Sequence, residues 1–327
     1  MDTAVKYLGM SLQSPIIVGA SSLTGTMDNL LEMEQAGAGA VVVKPLFEEQ
    51  IIFDIKCNQK IFAPTGHYGE NYALVEQTMP RDVVQNHFSF IHEAKQKLHI
   101  PVIGCLDCYQ FESWINYAKR FQDAGCDALE INMSLFPYET NTSVEDFDRL
   151  FQNVISSLRR FVSIPISIRV TPYYTDMSKA LMQLSWMGIQ GVTVFGEQPL
   201  VDVDVETEEI GVASGRNLEN RFEDTLRWTG VLSDKLRCGI CSAGGVRTSE
   251  DVVKLLLCGA QAIQVSECLK ENGIKHLGTL NEGLVSWMER HNYDKIDLFR
   301  GKLAVKGATK AGMQMRVRSI RNLWDVE

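Results

Sequence analysis

The 327-residue sequence lacks the segments that would take a chain into or across a membrane. Its first residues, MDTAVKYLGMSL, do not contain the apolar core of a signal peptide. No apolar run approaches the roughly 18 residues that a membrane-spanning helix needs. We therefore expect a cytoplasmic protein.

A basic surface is also missing. The chain carries 32 Lys and Arg residues against 41 Asp and Glu residues, for a formal net charge of -9. Surfaces that bind nucleic acids need a basic excess, and so do segments that bind anionic membranes. We predict neither partner, so any anionic ligand must be held by local geometry.

The eight cysteines do not indicate a disulfide scaffold in a chain of this length. Two pairs, Cys105/Cys108 and Cys238/Cys241, have the C-x-x-C spacing of some zinc and redox sites. Both pairs lie in or beside apolar runs that predict strands, on which residues three apart point to opposite faces. We therefore interpret them as buried structural cysteines and predict no metal site. No C-x-x-C array marks an iron–sulfur cluster.

What the sequence does contain is a repeated phrase, in which a helix ends in Gly and a short apolar run then closes on a polar residue. The four copies are AGAGAVVVKP (36–45), AGCDALEINMS (124–134), MGIQGVTVFGE (187–197) and CGAQAIQVSE (258–267). Glycine supplies a left-handed helix C-cap, and the run after it is typical of a buried strand. Four further apolar runs alternate with these copies, at 14–21, 100–106, 164–170 and 238–245. The alternation predicts eight strands.

Helical spacing of apolar residues is found between most of these strands. The predicted helices are Met27–Gln35, Glu112–Asp123, Glu145–Arg160, Lys179–Trp186 and Ser249–Leu257, the last with Thr248 as its N-cap. Strands that alternate with helices predict an α/β protein, a closed (β/α)8 TIM barrel that forms one domain over residues 1–327. A doubly wound open sheet is the alternative. The absence of a GxGxxG turn after the first strand disfavours its dinucleotide-binding version.

Two connections are too long for simple turns. Residues 46–99 follow the second predicted strand, and residues 197–236 follow the sixth. Both leave the carboxyl ends of their strands, where barrel enzymes build their sites. We interpret them as insertions that cap a pocket.

Polar residues interrupt two of the predicted strands with a period of two. One face carries Glu130, Asn132 and Ser134 on the fourth strand and Ser167, Arg169 and Thr171 on the fifth. Since the outer face must pack on helices, we expect these side chains inside the barrel near its carboxyl end. A buried Arg needs a partner, which would be Glu130 or an electron-rich ligand. Lys44 ends the second strand at the same rim, and an internal Lys44–Glu130 ion pair is an alternative to a ligand contact.

The last two strands end in a pattern typical of a phosphate site. The seventh ends in Ser242-Ala243-Gly244-Gly245 before a capped helix, and the eighth ends in Gln264-Val265-Ser266. In (β/α)8 barrels the loops after these strands commonly bind phosphate through backbone N–H groups. Glycine allows the backbone to approach the phosphate closely.

Together these segments resemble the dihydroorotate dehydrogenase family of flavin oxidoreductases, over nearly the whole chain. The similar segments are LGMSLQSPIIVGASS, AGAGAVVVKP, LEINMS, PISIRVTPYYTD and CSAGGVRTSEDVVKLLLCGAQAIQV. The resemblance implies an FMN cofactor and a small-molecule substrate. The residues that it implies for FMN are Ala20, Ser21, Lys44, Asn132, Arg169, Gly244, Gly245, Gln264 and Ser266. For catalysis it implies Lys44 and Asn132, and Ser134 lies next to the expected base.

The sequence departs from the family's pattern mainly on the substrate side. The position of the family's catalytic base is Leu135, which has no proton to exchange. Two positions for substrate-binding Asn residues are Pro137 and Thr193, and the phosphate-binding Gly-Thr is replaced by Ser266-Glu267. A carboxylate near a phosphate is repulsive unless it points away. Other candidates for the proton acceptor are Ser134, Tyr138 and His67.

We therefore predict an FMN-dependent oxidoreductase that oxidises dihydroorotate or a related dihydropyrimidine. Two alternatives remain open: an FMN barrel that acts on another small substrate, such as a nitro or enone compound, and a non-catalytic relative that has lost flavin. The second would be marked by Glu267. The tail after Gly301 carries several Lys and Arg residues, and we interpret it as a solvated helix or as a subunit contact, such as that of a homodimer.

Overall fold

The computed structural model describes residues 1–59, 82–108, 115–133, 144–173, 176–195, 201–212 and 221–306. The strands are β1 Val5–Tyr7, β2 Met10–Leu12, β3 Ile16–Val18, β4 Ala40–Val42, β5 Leu46–Phe47, β6 Val102–Cys108, β7 Ala128–Met133, β8 Ile166–Arg169, β9 Gly191–Val194, β10 Val201–Asp204, β11 Glu209–Val212, β12 Gly239–Ala243 and β13 Ala262–Val265. The helices are α1 Met27–Gln35, α2 Glu48–Gln59, α3 Val83–Lys97, α4 Ile115–Asp123, α5 Val144–Phe161, α6 Met177–Trp186, α7 Arg221–Leu232, α8 Ser249–Cys258, α9 Glu267–Asn272 and α10 His276–Arg290.

Eight of these strands form a closed parallel barrel. Around the barrel they run β3, β4, β6, β7, β8, β9, β12 and β13, and β13 pairs with β3. The pairing of β4 with both β3 and β6 closes the ring, so the open-sheet alternative is wrong. Each of the eight predicted runs overlaps one barrel strand, which confirms the predicted (β/α)8 fold.

The glycines of the repeated phrase adopt the left-handed conformation that the C-cap prediction required. Their φ angles are 90° at Gly37, 99° at Gly125, 87° at Gly188 and 108° at Gly259. Each lies just after a helix and a few residues before a barrel strand. These positions thus fix where the helix stops and the chain turns back into the barrel.

The predicted helices are found with small shifts at their ends. Helix α1 has the predicted bounds, and α5, α6 and α8 begin or end within two residues of them. At α8, Thr248 is the N-cap, because its side chain accepts a hydrogen bond from the Asp251 backbone and Asp251 reciprocates. The predicted start of α4 at Glu112 lies outside the described residues.

Both long connections contain secondary structure of their own. Residues 46–99 include β5, α2 and α3, and residues 197–236 include the antiparallel hairpin β10–β11 and α7. Residues 60–81, 197–200 and 213–220 of these connections lie outside the described residues. A cap over the pocket therefore stays a prediction.

The amino end of the barrel is closed by the hairpin of β1 and β2. Tyr7 is buried, and its hydroxyl lies 3.1 Å from the Ser167 hydroxyl inside the barrel. Gly191 and Gly239 make room for it, since an added Cβ at Gly191 would lie 2.6 Å from the Tyr7 oxygen. Among the described residues, no helix is long and apolar enough to span a membrane.

Candidate functional site

Four polar side chains form one row across neighbouring strands near the carboxyl end of the barrel. Asp107 on β6 is paired in register with Asn132 on β7. Asn132 is in turn paired with Arg169 on β8, and Arg169 is paired with Thr193 on β9. Register partners on parallel strands point to the same face of a sheet. The row therefore faces the interior, as the polar alternation in the sequence predicted.

Glu130 lies at the centre of a buried hydrogen-bond network behind this row. Its Oε1 accepts from Nε and Nη2 of Arg169 at 3.0 and 2.7 Å. Its Oε2 accepts from the Thr193 hydroxyl and from Nε2 of Gln264, both at 2.7 Å. Nη2 of Arg169 also donates to Oε1 of Gln264 at 2.6 Å. The buried partner of Glu130 is thus Arg169, whereas Lys44 is exposed, so the alternative Lys44–Glu130 pair is not formed.

The guanidinium of Arg169 stays charged although it is buried. Burial by itself lowers its pKa, but the adjacent carboxylate of Glu130 outweighs burial and the pKa is raised. The side chains of Arg169 and Glu130 are only 9% and 2% exposed. Because Glu130 balances the charge of Arg169, this pair presents little net charge to a ligand.

Asp107 is the site residue that the sequence analysis missed. Nδ2 of Asn132 donates to Oδ2 of Asp107 at 2.6 Å. The predicted apolar run ended at Leu106, but β6 continues to Cys108. A polar residue directly after an apolar run was the signal that identified Lys44, and the same signal would have identified Asp107.

The predicted phosphate-binding residues line one cleft at the carboxyl ends of β12 and β13. The cleft is lined by Gly19, Arg169, Ala243, Gly244, Gly245, Val246, Gln264, Val265, Ser266 and Glu267. Gly244 and Gly245 have φ angles of 93° and 75°. Within the part of the chain that the structure describes, their N–H groups have no hydrogen-bond acceptor. The structure thus brings five of the nine predicted cofactor residues together.

Two of the three glycines that line this cleft, Gly244 and Gly245, are also required by packing. A Cβ on Gly244 would lie 2.8 Å from the Phe195 carbonyl oxygen, and one on Gly245 would lie 2.6 Å from the backbone nitrogen of Phe222. Real Cβ atoms essentially never show such distances. A substitution at Gly245 would therefore move the start of α7 as well as fill the cleft.

The other predicted residues lie on the rim around β3 and β4. Ser21 is buried and caps the short 3₁₀ helix Ser22–Gly25, with its hydroxyl accepting from the backbone N–H of Leu23. Lys44 is exposed and lies beside Gly25, and Ala20 is half-buried. Ser134 lies outside the described residues, as do Leu135, Pro137, Tyr138 and His67.

The cysteines of the two C-x-x-C pairs are protonated thiols wherever their side chains are described. Cys105 and Cys241 are buried in the barrel, and burial, reinforced by the charge of Glu130, raises their pKa well above the ordinary value. Burial raises the pKa of Cys238 to about 12. Metal binding and nucleophilic attack both need the thiolate. No cluster of three or more potential metal ligands is present in the described ranges.

Comparison with known proteins places this architecture in a family. The dihydroorotate dehydrogenase family profile matches residues 77–288, more than half of the chain. The catalytic subunit of dihydroorotate dehydrogenase B (NAD(+)) from Thermoplasma acidophilum is 23% identical over 304 residues, which cover 90% of this chain and 96% of that protein. Dihydroorotate dehydrogenase (fumarate) from Saccharomyces mikatae is 21% identical, with coverage of 91% and 97%. The chloroplastic dihydropyrimidine dehydrogenase (NADP(+)) of Arabidopsis thaliana is 22% identical, with coverage of 92% and 76%.

The closed parallel barrel and the polar groups at its carboxyl end define a (β/α)8-barrel enzyme. Within that class, the chain belongs to the dihydroorotate dehydrogenase family. The family match confirms the resemblance that the strand-end motifs indicated. With it, the prediction of a dihydroorotate dehydrogenase-like oxidoreductase is confirmed.

Proposed function

We propose that the protein is an FMN-dependent oxidoreductase that acts on dihydroorotate or on a related dihydropyrimidine. The observation that carries this proposal is the cleft in which Gly244, Gly245 and Ser266 meet Arg169 and Gln264. Backbone N–H groups at the carboxyl ends of the last two strands of a (β/α)8 barrel are suited to bind a phosphate. The neighbouring polar side chains are suited to the edge of a flavin ring.

Two features of the structure support the fit of FMN to this rim. The first is the pair of N–H groups at Gly244 and Gly245, which have no acceptor among the described residues. The second is Thr171, which is 2% exposed and follows Arg169 on the inward face. Its hydroxyl has no hydrogen-bond partner in the described ranges. An unpaired buried hydroxyl costs about 1–3 kcal/mol, which a ligand contact would recover.

The proposed roles follow from where each side chain lies. Ala20, Ser21, Gly244, Gly245, Gln264 and Ser266 would hold FMN, together with Lys44, Asn132 and Arg169. Bound FMN would accept a hydride from the substrate. Lys44 would place a positive charge at the rim, Asn132 would orient the ligand, and the pair of Arg169 with Glu130 would keep the floor of the site rigid. Ser134 stays the predicted residue beside the base position.

Glu267 favours a second candidate, a relative that does not retain flavin. Glu267 lines the same cleft as Gly244 and Gly245, so it adds an acidic residue to the lining of the proposed phosphate position. Two unit charges about 4 Å apart in water interact by about 1 kcal/mol. A penalty of that size weakens phosphate binding but does not abolish it, so we favour the flavoprotein.

The absorbance spectrum of the purified protein, before and after incubation with FMN, tests this proposal. We expect a bound flavin spectrum and a tighter complex in Glu267→Gln, by about fivefold in Kd, because the repulsive charge is removed. Glu282→Gln, an exposed charge on α10, is the matched control and should bind FMN like the wild type. A protein that binds no FMN in any of these variants would show that the proposed function is wrong.

Gly245→Asp should also abolish flavin retention, but it is a less specific probe. Its side chain would collide with the backbone of Phe222 as well as with the phosphate. If this variant retained flavin as the wild type does, the proposed position of the phosphate at Gly245 would nevertheless be wrong.

We further propose that residues 1–327 form one FMN-binding domain, and that the protein is cytoplasmic and takes part in pyrimidine metabolism. A homodimer stays a prediction.

A further inference from the structure

The carboxylate of Glu130 accepts four hydrogen bonds. Its Oε1 accepts from Nε and Nη2 of Arg169, and its Oε2 accepts from the Thr193 hydroxyl and from Nε2 of Gln264. An ionised carboxylate has about four lone-pair sites, so these four donors fill it. None of them could accept a carboxyl proton in the geometry observed. Glu130 therefore places a full negative charge directly beside Arg169.

Arg169 keeps part of its guanidinium for the cleft. A guanidinium has five N–H donors. Three of them are used, by Oε1 of Glu130 twice and by Oε1 of Gln264 once. In the part of the chain that the structure describes, Nη1 makes no hydrogen bond and is not one of the buried unpaired atoms. Since Arg169 lines the cleft, the two N–H donors of Nη1 face the proposed flavin site.

The position of Glu130 decides how much charge reaches that site. When oxidised flavin takes up two electrons and one proton, it gains one negative charge, so a lone cation beside it favours reduction. An adjacent carboxylate repels the same negative charge, and at the distance of a ligand the two effects nearly cancel. Glu130 is only 1% exposed, so solvent ions screen its charge little. Arg169 can thus donate hydrogen bonds without an uncompensated positive charge.

We propose that Glu130 is a positioning residue that sets the reduction potential of the bound flavin, by orienting Arg169 and compensating its charge. Glu130 does not line the cleft itself, so it acts through Arg169, which does. This inference rests on the proposed function and names a residue that controls the redox chemistry of the same site.

The test measures the two-electron reduction potential of the full-length protein with FMN bound. The flavin is reduced without oxygen by a chemical reductant, in the presence of a reference dye, and its absorbance is recorded. We expect the wild-type potential to lie at or below that of free FMN, because the buried pair presents little net positive charge.

Glu130→Gln keeps the shape of the side chain and an acceptor for Arg169 but removes the charge. The potential should rise by at least about 30 mV, which corresponds to a tenfold gain in the affinity for reduced over oxidised FMN. Glu130→Asp keeps the charge but is shorter by one methylene, so this ratio should stay within about threefold of the wild type. Glu93→Gln is the matched control, because this exposed glutamate on α3 pairs with Lys97. It should leave the potential unchanged.

A wild-type potential more than about 30 mV above that of free FMN would overturn the proposal, and this result needs no variant to fold. So would an unchanged potential in Glu130→Gln. Equal shifts in Glu130→Gln and Glu130→Asp would also overturn it, because side-chain packing and not charge would then be responsible. A failure of the proposed function is distinguishable, because the flavin spectrum would be missing before any reductant is added.

Discussion

The two ends of the barrel differ in the side chains that fill their interior. At the amino end, Tyr7 enters the barrel and glycines on β9 and β12 make room for it. At the carboxyl end, β6, β7, β8 and β13 carry charged and amide side chains, and two glycines in the left-handed region border a cleft. The closely packed amino end is therefore suited to stability. The carboxyl end, with its satisfied polar network, is suited to chemistry.

The largest effect is expected from breaking the buried ion pair. Glu130→Ala leaves the guanidinium of Arg169 buried without a carboxylate partner, and removal of one member of a buried pair costs about 3–5 kcal/mol. Urea denaturation measures the free energy of unfolding. Glu93→Ala, which removes an exposed pair with Lys97, should change it by less than about 0.5 kcal/mol. A loss below about 1 kcal/mol in Glu130→Ala would mean that the network does not hold the carboxyl end together.

His87 on α3 contrasts with Glu130, because its buried Nε2 has no hydrogen-bond partner among the described residues, whereas both carboxylate oxygens of Glu130 accept hydrogen bonds. Burial, aided by the charge of Lys44, lowers the pKa of His87 to about 4. The unfolded chain takes up this proton below about pH 6.5, whereas the folded protein resists it until about pH 4. The resulting stability is therefore complete above pH 6.5 and is lost as the pH falls towards 4.

Replacing this side chain should flatten the pH dependence of unfolding. In the wild type, protonation of His87 should lower the free energy of unfolding by about 2–3 kcal/mol between pH 6.5 and pH 4. This decrease should be missing in His87→Phe. The control is His99→Gln, whose side chain is 93% exposed in the wild type. If His87→Phe and the wild type had parallel profiles, the lowered pKa of His87 would be refuted.

A smaller effect is expected at the amino end. Gly191→Ala would place a Cβ 2.6 Å from both the Tyr7 oxygen and Cδ2 of Leu8, and the forced repacking should cost about 1–3 kcal/mol. Gly278→Ala is the control, because an added Cβ on α10 meets nothing within 4 Å. It should leave stability unchanged or raise it by up to about 1 kcal/mol. Equal stabilities of the two variants would show that Tyr7 is loosely held.

The fold could be predicted from local sequence patterns, because each pattern involves residues that are close together in the sequence. The left-handed Gly37, Gly125, Gly188 and Gly259 ended four helices as expected. Alternation on β7 and β8 placed Glu130 and Arg169 on the inward face. These features depend on backbone geometry over a few residues, so the sequence alone determines them.

Features that depend on contacts between distant segments could not be predicted in the same way. The bond between Asn132 and Asp107 joins two strands 25 residues apart. The close approach of Gly245 to Phe222, and of Gly191 to Tyr7, depends on how separate elements pack. Similarly, Glu130 takes Arg169 as its partner and not Lys44, because Glu130 and Arg169 enter the barrel from the adjacent strands β7 and β8 while Lys44 remains exposed.

We propose that this family member keeps the flavin-binding end of the site, while the residues at its substrate end have changed. The most direct test is anaerobic addition of dihydroorotate to the flavin-loaded protein, with the flavin absorbance followed over time. Because Leu135 cannot act as a base, and a positioned base contributes roughly 10²–10⁴-fold in rate, we predict slow or absent bleaching, although a chemical reductant bleaches the flavin fully. Rapid bleaching by dihydroorotate, at the rates usual for enzymes, would contradict the account.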